Sequence, residues 1–318
     1  MEPTSRSSVV TREEPLTALP GADRPRKGRL RRHEASAALG FLTPSSIGLT
    51  VFVMVPTILA IVTSFFHWPT FGEISFAGWD NFTSLFTPGN AFPAALLNTV
   101  LFTVLIVPLN LVLTVAMAFW IASSRFSHFY RVLFFLPVVT PSVATSIIWK
   151  MLYQPGGILD YVAAAVGIDM PNLLADSRTA LLAVIVVVLW NGLGYNVLIY
   201  SAAIDQLPES VLDAAKIDGA GTWATLFRIK LPLMTPAIFF ATTITIISAF
   251  QIFNQPYVMT AGGPGNATTT VVMDVYFKAF QGGQLGAAAA PAMILFALIL
   301  GVTALQWIGQ KKWVNYDQ

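Results

Sequence analysis

The sequence predicts an all-α integral membrane protein with six transmembrane helices and a cytoplasmic two-helix loop between the fourth and the fifth. Three observations predict this fold class. Apolar residues make up 55% of the 318 residues and charged residues only 11%, whereas about a quarter of the residues of a soluble domain are charged. Six apolar stretches are long enough to cross a hydrocarbon core of about 30 Å. One polar segment, residues 207–232, separates two of these stretches.

The chain begins with a polar segment, residues 1–36, that holds eight of the eighteen Lys and Arg residues. This composition, rich in Arg, Pro and Ser, predicts a disordered cytoplasmic tail. The apolar stretch that follows is too long for a signal peptide and lacks a small-residue cleavage site, so we expect it to remain as a membrane anchor. Residues 37–94 are accordingly predicted to form the first transmembrane helix and an outer loop.

The six predicted spans each have about 20 residues or more, which is the length that a helix needs to cross a membrane. They lie at about 39–66, 97–121, 132–152, 181–203, 233–254 and 287–308. Pro137 and Pro141 interrupt the third span, and Lys150 closes it. Prolines inside a span often mark kinks beside a cavity, because neighbouring groups there can bond the freed backbone. We therefore expect a kinked third helix.

The distribution of Lys and Arg predicts the orientation in the membrane. Fifteen of the eighteen lie in the tail, the loop 122–131, the segment 207–232 or the C-terminus, and three lie on the opposite side. Loops rich in Lys and Arg face the cytoplasm in membrane proteins. Both termini, including residues 311–318, and the segment 207–232 are therefore predicted to be cytoplasmic.

The segment 207–232, called the helical loop below, has the local pattern of a helix, a sharp turn and a second helix. Pro208 suits the first helical position, where the missing N–H is no loss. Gly219 can adopt the left-handed backbone that ends a helix and reverses the chain. Thr222 is predicted to cap the second helix. Because Leu231 precedes a proline, we expect it to leave helical angles and to bend the chain there.

The helical loop resembles the cytoplasmic signature of the membrane subunits of ATP-binding-cassette importers. The matching residues are Asp213, Ala214, Ala215, Asp218, Gly219 and Ala220, followed by Leu231-Pro232, with Asp in the usual Glu position. In that family the loop docks in a cleft of the cytoplasmic ATPase and transmits its closure. The resemblance therefore implies that these six residues couple the chain to an ATPase, and the small side chains would permit close approach.

A second segment, residues 257–270, reads YVMTAGGPGNATTT. It resembles the Thr-x-Gly-Gly-Pro segment found in the first of the two permease subunits of carbohydrate importers. From the residues themselves, Gly262, Gly263 and Pro264 predict a tight turn. We expect this turn to shape an outer loop at the mouth of a solute pathway.

Two absences limit the chemistry that the chain can carry out. Apart from Lys150, the predicted spans contain no Asp, Glu, Lys, Arg or His, although proton- and ion-coupled carriers generally place such residues within their spans. The chain also lacks the Gly-rich phosphate loop of nucleotide-binding proteins. With no Cys and three scattered His residues, no metal site is expected. A separate ATPase subunit is implied.

Neutral polar and aromatic residues in the fourth and fifth spans are candidates for a solute pathway. They are Trp190, Asn191, Tyr195, Gln251 and Asn254. Asn191 and Tyr195 are four apart and share a helix face, and we expect the same of Gln251 and Asn254, three apart. Amides and hydroxyls beside aromatic rings suit a polyhydroxylated solute. The alternative is that these residues hydrogen-bond helices to one another, and the sequence leaves both interpretations open.

The resemblance covers residues 95–310, which correspond to the transmembrane domain of a type-1 importer, in the group that takes up maltose and glycerol 3-phosphate. It implies a non-enzymatic permease subunit, first-permease type, that translocates a sugar or a sugar-like solute, glycerol phosphates included. The chain itself is expected to bind no cofactor, because the partner subunits hydrolyse ATP with Mg²⁺. The implied location is a bacterial cell membrane.

The resemblance also implies the partners. They are a second permease subunit, two cytoplasmic ATPase subunits, an extracytoplasmic solute-binding protein and membrane lipid, with no nucleic acid. The alternatives to such an importer are a self-sufficient channel or secondary carrier, and an importer for another class of polar solute. Transport of solute by the purified chain without ATP would distinguish the first of these alternatives.

Overall fold

The computed structural model describes residues 27–311 and 313–314, with side chains from residue 38 onward. The described residues divide into two compact units, one that ends at Thr57 and one that begins at Ile58. Helix α1 (Lys27–Leu49) begins inside the segment predicted to be a disordered tail. Residues 27–36 are therefore helical, contrary to the prediction, because Lys, Arg, Leu, Ala and Glu are strong helix formers. Residues 1–26 of the predicted tail lie outside the described residues.

The remaining elements follow in chain order. A π-helical turn, Thr50–Met54, leads into α2 (Val55–Thr63), the two-residue strands β1 (Phe66–His67) and β2 (Ser75–Phe76), α3 (Asp80–Thr83) and a 3₁₀ turn, Ser84–Phe86. The helices that follow are α4 (Phe92–Ala122), α5 (Ser127–Val139), α6 (Ser142–Tyr153), α7 (Ile158–Ala165) and α8 (Ala180–Asp205). The last are α9 (Glu209–Ile217), α10 (Thr222–Thr225), the π-helical turn Leu226–Lys230, α11 (Leu231–Leu233), α12 (Thr235–Phe250), α13 (Asn254–Thr260), α14 (Val271–Tyr276), the π-helical turn Phe277–Gln281 and α15 (Leu285–Gln310).

The two short strands form an antiparallel hairpin in which Phe66 pairs with Phe76 and His67 with Ser75. The side-chain amide of Asn81 fastens α3 to this hairpin, because its nitrogen donates to the backbone oxygens of Ser64 and Phe66, each at 2.9 Å. The loop 67–96 is therefore an ordered hairpin and helix rather than a featureless connection.

Four helices among the described residues are long and apolar enough to cross a membrane. They are Ala38–Thr63, Phe92–Ala122, Ala180–Asp205 and Leu285–Gln310. Two further segments are helix pairs with a sharp bend, Ser127–Val139 with Ser142–Tyr153 at 93° and Thr222–Leu233 with Thr235–Phe250 at 67°. The number of spans reaches the predicted six if each bent pair counts as one span, so six remains a prediction.

The kink predicted in the third span is confirmed. Thr140 is extended, with ψ 130°, because the ring of the following Pro141 disfavours helical angles in the residue before it. The bend predicted at Leu231 is wrong. Leu231 keeps helical angles, φ −61° and ψ −45°, and the chain turns at Met234, where ψ is −2°. Pro232 can follow a helical residue here because it lies in the first turn of the short helix α11, where its N–H is not needed.

The fifth predicted span, 233–254, ends earlier than expected. Helix α12 has 16 residues and stops at Phe250, which corresponds to about 24 Å of helix. Pro256 explains the break, because in a continuous helix its ring would collide with the carbonyl of Ile252. That carbonyl accepts a hydrogen bond from the Thr270 hydroxyl at 2.9 Å instead.

Helix α8 packs between α4 and α5 and contributes Val184, Val187 and Val197 to the buried core. Its approach to α5 is closest at Gly194, where an added Cβ would overlap the carbonyl oxygen of Phe134. Only glycine permits this crossing, in the way that small residues permit close helix contacts in membranes generally.

Gly194→Ala should therefore destabilise the purified protein by about 1–3 kcal/mol, the usual cost of overpacking a well-packed contact. The matched control is Gly192→Ala on the same helix, where an added Cβ meets nothing within 4 Å. Thermal unfolding in detergent measures both. Equal melting temperatures for the two variants would contradict the close crossing.

Candidate functional site

The helical loop has the turn that the sequence predicts. Helix α9 ends before Gly219, which has φ +74°. The backbone N–H of Ala220 donates to the oxygen of Ala215 at 2.9 Å, and the N–H of Gly219 donates to the oxygen of Lys216 at 3.1 Å. These two bonds form the Schellman arrangement that closes a helix at a left-handed residue. The prediction for Gly219 is confirmed.

Two details of the loop differ from the prediction. Pro208 is the residue before α9 and not its first residue. Gly221 occupies the capping position of α10, and the helix begins at Thr222, so the predicted cap is wrong. Gly221 can take this position because its extended backbone, ψ 165°, allows its oxygen to accept from the N–H of Thr225 at 2.9 Å.

Most of the six residues that match the family signature point to the surface. Asp213, Ala214, Asp218 and Gly219 are exposed, Ala220 is half-buried, and Ala215 is 5% exposed. A small side chain at 215 is thus required by the loop's own packing, which the sequence alone did not indicate. Lys216 Nζ lies 2.9 Å from Asp213 Oδ1, and this hydrogen bond raises the pKa of Lys216 above its ordinary value.

The helical loop also exposes three large apolar side chains. Ile217 is 86% exposed, Trp223 73% and Phe227 59%. The rings of Trp223 and Phe227 are stacked, with centroids 5.8 Å apart. Large exposed apolar groups in a polar segment are typical of a protein-binding surface. These exposed side chains were not among the predicted site residues, although aromatic residues inside a charged segment are a signal for them.

The base of the helical loop is anchored in the core of the helix bundle. A buried cluster joins α4, α8 and α12 there, and its members are Ala118, Tyr200, Leu207, Met234 and Ala241. Beside it, Arg131 of α5 makes two bonds to the carboxylate of Asp205, at 2.7 and 2.9 Å. Bidentate Arg–carboxylate pairs have a fixed geometry. The end of α8 is therefore held to α5 at the point where the loop begins.

A cavity of about 250 Å³ lies between α4, α8, α12 and α13, and is called the Asn191 cavity below. Its polar lining consists of Asn110, Asn191, Tyr195, Asn196, Thr245, Ser248 and Gln255. Its apolar lining includes Phe102, Ile106, Val188 and Ile252. None of the lining residues carries a charge.

The structure brings together two of the five pathway candidates. Asn191 and Tyr195 share a face of α8 and both line the cavity. Trp190 does not line it but contacts the ring of Trp149 edge-on, with centroids 5.5 Å apart. Asn191 has a structural contact as well, because its amide nitrogen donates to the Pro137 oxygen at 2.7 Å. That bond satisfies a backbone group near the kink of the third span.

Gln251 and Asn254 do not share a helix face, so that prediction is wrong. Helix α12 has already ended at Phe250, and Asn254 begins α13. Gln251 lines a separate groove with residues of α14 and α15. Asn254 donates to the Ser142 hydroxyl at 3.0 Å. A spacing of three residues places two side chains on one face only within a continuous helix, and the helix is broken between these two residues.

The sequence analysis did not assign the polar groups at the two ends of the cavity. The amide nitrogen of Asn196 donates to Asn110 Oδ1 at 2.5 Å and to Thr245 Oγ1 at 2.9 Å, which ties α8 to α4 and α12. Gln255 lines the other end and is 8% exposed. No spacing rule could have placed Gln255 there, because the break after α12 sets its direction.

The segment 257–270 forms the predicted tight turn. Gly262 has φ +89° and Gly265 has φ +56°, with Gly263 and Pro264 between them. Asn98 of α4 donates from its amide nitrogen to the backbone oxygens of Asn266 at 2.6 Å and Thr269 at 3.0 Å. The segment is therefore fastened to α4. Among the described residues no three His, Asp or Glu side chains gather as metal ligands.

Residues 111–313 match the family described as the binding-protein-dependent transport system inner membrane component. The chain is 32% identical over 273 residues to the probable ABC transporter permease protein YurN of Bacillus subtilis (strain 168). The aligned region covers 84% of this chain and 93% of YurN. It is 30% identical over 297 residues to the sn-glycerol-3-phosphate transport system permease protein UgpA of Yersinia pestis. That aligned region covers 87% of this chain and 100% of UgpA.

Solved structures share the fold. One is a chain of a bacterial alginate ABC transporter, crystallised with an alginate pentasaccharide-bound periplasmic protein. It superposes with a TM-score of 0.77 at 20% identity, and the superposed region covers 91% of this chain and 98% of the transporter chain. A second structure, of a bacterial ABC transporter involved in the import of alginate, has a TM-score of 0.78 at 19% identity. The superposed region covers 90% of this chain and 99% of the transporter chain.

The contact between Asn110 and Asn196 predicts an energetic coupling. Asn110→Ala and Asn196→Ala should each destabilise the protein, and the double variant should lose about 1 kcal/mol less than the sum, because each single change already removes the shared hydrogen bond. Thermal unfolding of the four proteins in detergent measures this coupling. Strictly additive losses would show that the two amides do not interact.

Proposed function

The chain belongs to the family of inner membrane components of binding-protein-dependent transport systems, and from this premise we propose that it is the permease subunit of an ATP-driven importer for sugars or sugar-like solutes. The matching relatives are permease proteins of transport systems, and one of them serves sn-glycerol 3-phosphate. The chain contributes a membrane path and no covalent chemistry. ATP and Mg²⁺ belong to the ATPase partners.

One observation carries the proposal: α8 provides part of the cavity lining and also leads directly into the helical loop. Asn196 is nine residues before Asp205, which is about 14 Å along a helix. The buried cluster at the base of the loop ties α8 to α4 and α12, the same helices that line the cavity. A displacement of the helical loop is thereby passed to the cavity walls.

The exposed apolar side chains of Ile217, Trp223 and Phe227 support a protein partner for the helical loop, which in this proposal is the ATPase. The exposed small residues Ala214 and Gly219 of the same loop allow a partner surface to approach closely. A pair of ATPase subunits, a second permease subunit and an extracytoplasmic solute-binding protein complete the proposed complex. The chain resides in a bacterial cell membrane, with the helical loop and both termini in the cytoplasm.

The absence of charge in the Asn191 cavity favours this importer over a carrier driven by protons or ions. Such carriers need ionisable or ion-coordinating groups in the path. The amides and hydroxyls of Asn191, Tyr195 and Ser248 suit hydroxyl groups of a sugar, and Phe102 and Ile252 offer apolar surface to its ring.

Single cysteines test the orientation directly, because the chain has no cysteine of its own. Asn266→Cys, exposed in the outer segment, should react with a membrane-impermeant maleimide added to intact cells. Ser210→Cys in α9, also exposed, should react only after the membrane is opened. The opposite labelling pattern would invert the proposed topology.

Gly219→Val should weaken ATPase association and lower transport at least tenfold, because a β-branched residue at φ +74° costs about 1–2 kcal/mol and distorts the turn. The matched control is Gly167→Val, at φ +77° with the same open surroundings but outside the helical loop. Co-purification of the ATPase with each variant is the measurement. Equal co-purification in both would remove the helical loop from the interface.

Ala214→Glu changes the exposed surface of α9 without altering the turn. It should also reduce co-purification of the ATPase, since a bulky charge replaces a methyl group at a close contact. Ala215→Glu is unsuitable for this purpose, because Ala215 is buried within the loop and its replacement would damage the loop itself.

A further inference from the structure

Gln255 differs from the other buried amides of the chain. Its side chain is 8% exposed and lines the Asn191 cavity. It makes no hydrogen bond to any residue that the structure describes. By contrast, Asn98 donates to two backbone oxygens, and Asn110 and Asn196 bond to each other. Because Gln255 lines the cavity and its carboxamide has no such partner, the carboxamide is available to hydrogen-bond a group that enters the cavity.

The position of Gln255 along the path supports a role in solute binding. Asn110, Asn196 and Thr245 occupy the end of the cavity nearer the helical loop, where they are satisfied by one another. Gln255 lies on α13, beyond the break that ends α12, and so occupies the other end. In the proposed orientation that end faces outward. Gln255 is therefore the first free amide that an entering solute meets in this cavity.

The chemistry of the lining narrows the solute class. Phosphate and carboxylate groups are recognised by Arg and Lys side chains, and the cavity lining contains neither. A carboxamide presents an acceptor oxygen next to a donor NH2 group, which matches two adjacent hydroxyl groups, one donating and the other accepting.

We propose that Gln255 is a specificity residue that binds adjacent hydroxyl groups of the solute, and that the importer therefore selects an uncharged polyhydroxylated solute over a phosphorylated or carboxylated one. This inference rests on the proposed function. It separates this chain from the relative that serves sn-glycerol 3-phosphate.

Uptake into vesicles that hold the complete importer tests the proposal. The probes are a panel of radiolabelled uncharged sugars and polyols, with sn-glycerol 3-phosphate and galacturonate as the anions. Wild-type uptake of an uncharged probe is expected. For that probe, Gln255→Met, which keeps the length of the side chain but removes its amide, should raise KM about tenfold with the maximal rate unchanged. Gln281→Met, at an exposed position away from the cavity, should leave KM unaltered.

Monodeoxy forms of the same probe identify the contact. Wild type should discriminate against the form that lacks a hydroxyl bound by Gln255, and Gln255→Met should not, because the partner of that hydroxyl is gone. Gln255→Glu, of nearly the same shape, should also raise KM. A purely structural role for Gln255 would alter complex assembly without removing this discrimination.

The outcomes separate the two claims. Uptake of the anions alone, or an unchanged KM in Gln255→Met and Gln255→Glu, would overturn the inference and leave the proposed function standing. Loss of assembly in both variants would also overturn it, since it would make the amide a structural group. Failure of the wild-type complex to take up any probe in the presence of ATP would contradict the proposed function itself.

Discussion

The close packing of α8 against α5 and α4 is the constraint on which the rest of the structure depends. Gly194 lets the backbones of α8 and α5 meet. From this crossing toward its C-terminal end the helix makes two further polar contacts. Asn196 reaches Asn110 on α4, and Asp205 reaches Arg131 on α5. Each contact needs the helix in one position, so the cavity lining and the start of the helical loop are set by the same packing.

The polar side chains of the helix bundle fall into two groups by their hydrogen bonds. Asn98 and Asn196 are bonded to neighbouring segments and hold the bundle together. Tyr195, Ser248 and Gln255 line the cavity without such partners among the described residues. We propose that these three groups are the ones that contact solute. Their lack of charge agrees with energy supplied by a separate ATPase.

Much of the fold could be predicted from the sequence, because long apolar stretches and the steric freedom of glycine are local properties. The helix 180–205, the turn at Gly219 and the kink at Pro141 are of this kind. The prediction failed where a helix break or tertiary packing determines the direction of a side chain. Pro256 interrupts the helix, so that α12 ends at Phe250, six residues earlier, and Gln251 and Asn254 lie on different segments. The burial of Ala215 and the direction of Gln255 depend on tertiary packing, which no spacing rule contains.

The central claim is that ATP hydrolysis by a partner, acting on the helical loop, drives solute through the cavity. Solute uptake into vesicles tests it most directly, with either the purified chain alone or the complete complex, and with ATP either absent or supplied on the side of the helical loop. The account predicts uptake only by the complete complex with ATP. Solute movement through the chain alone, without ATP, would contradict it and identify a channel or a secondary carrier.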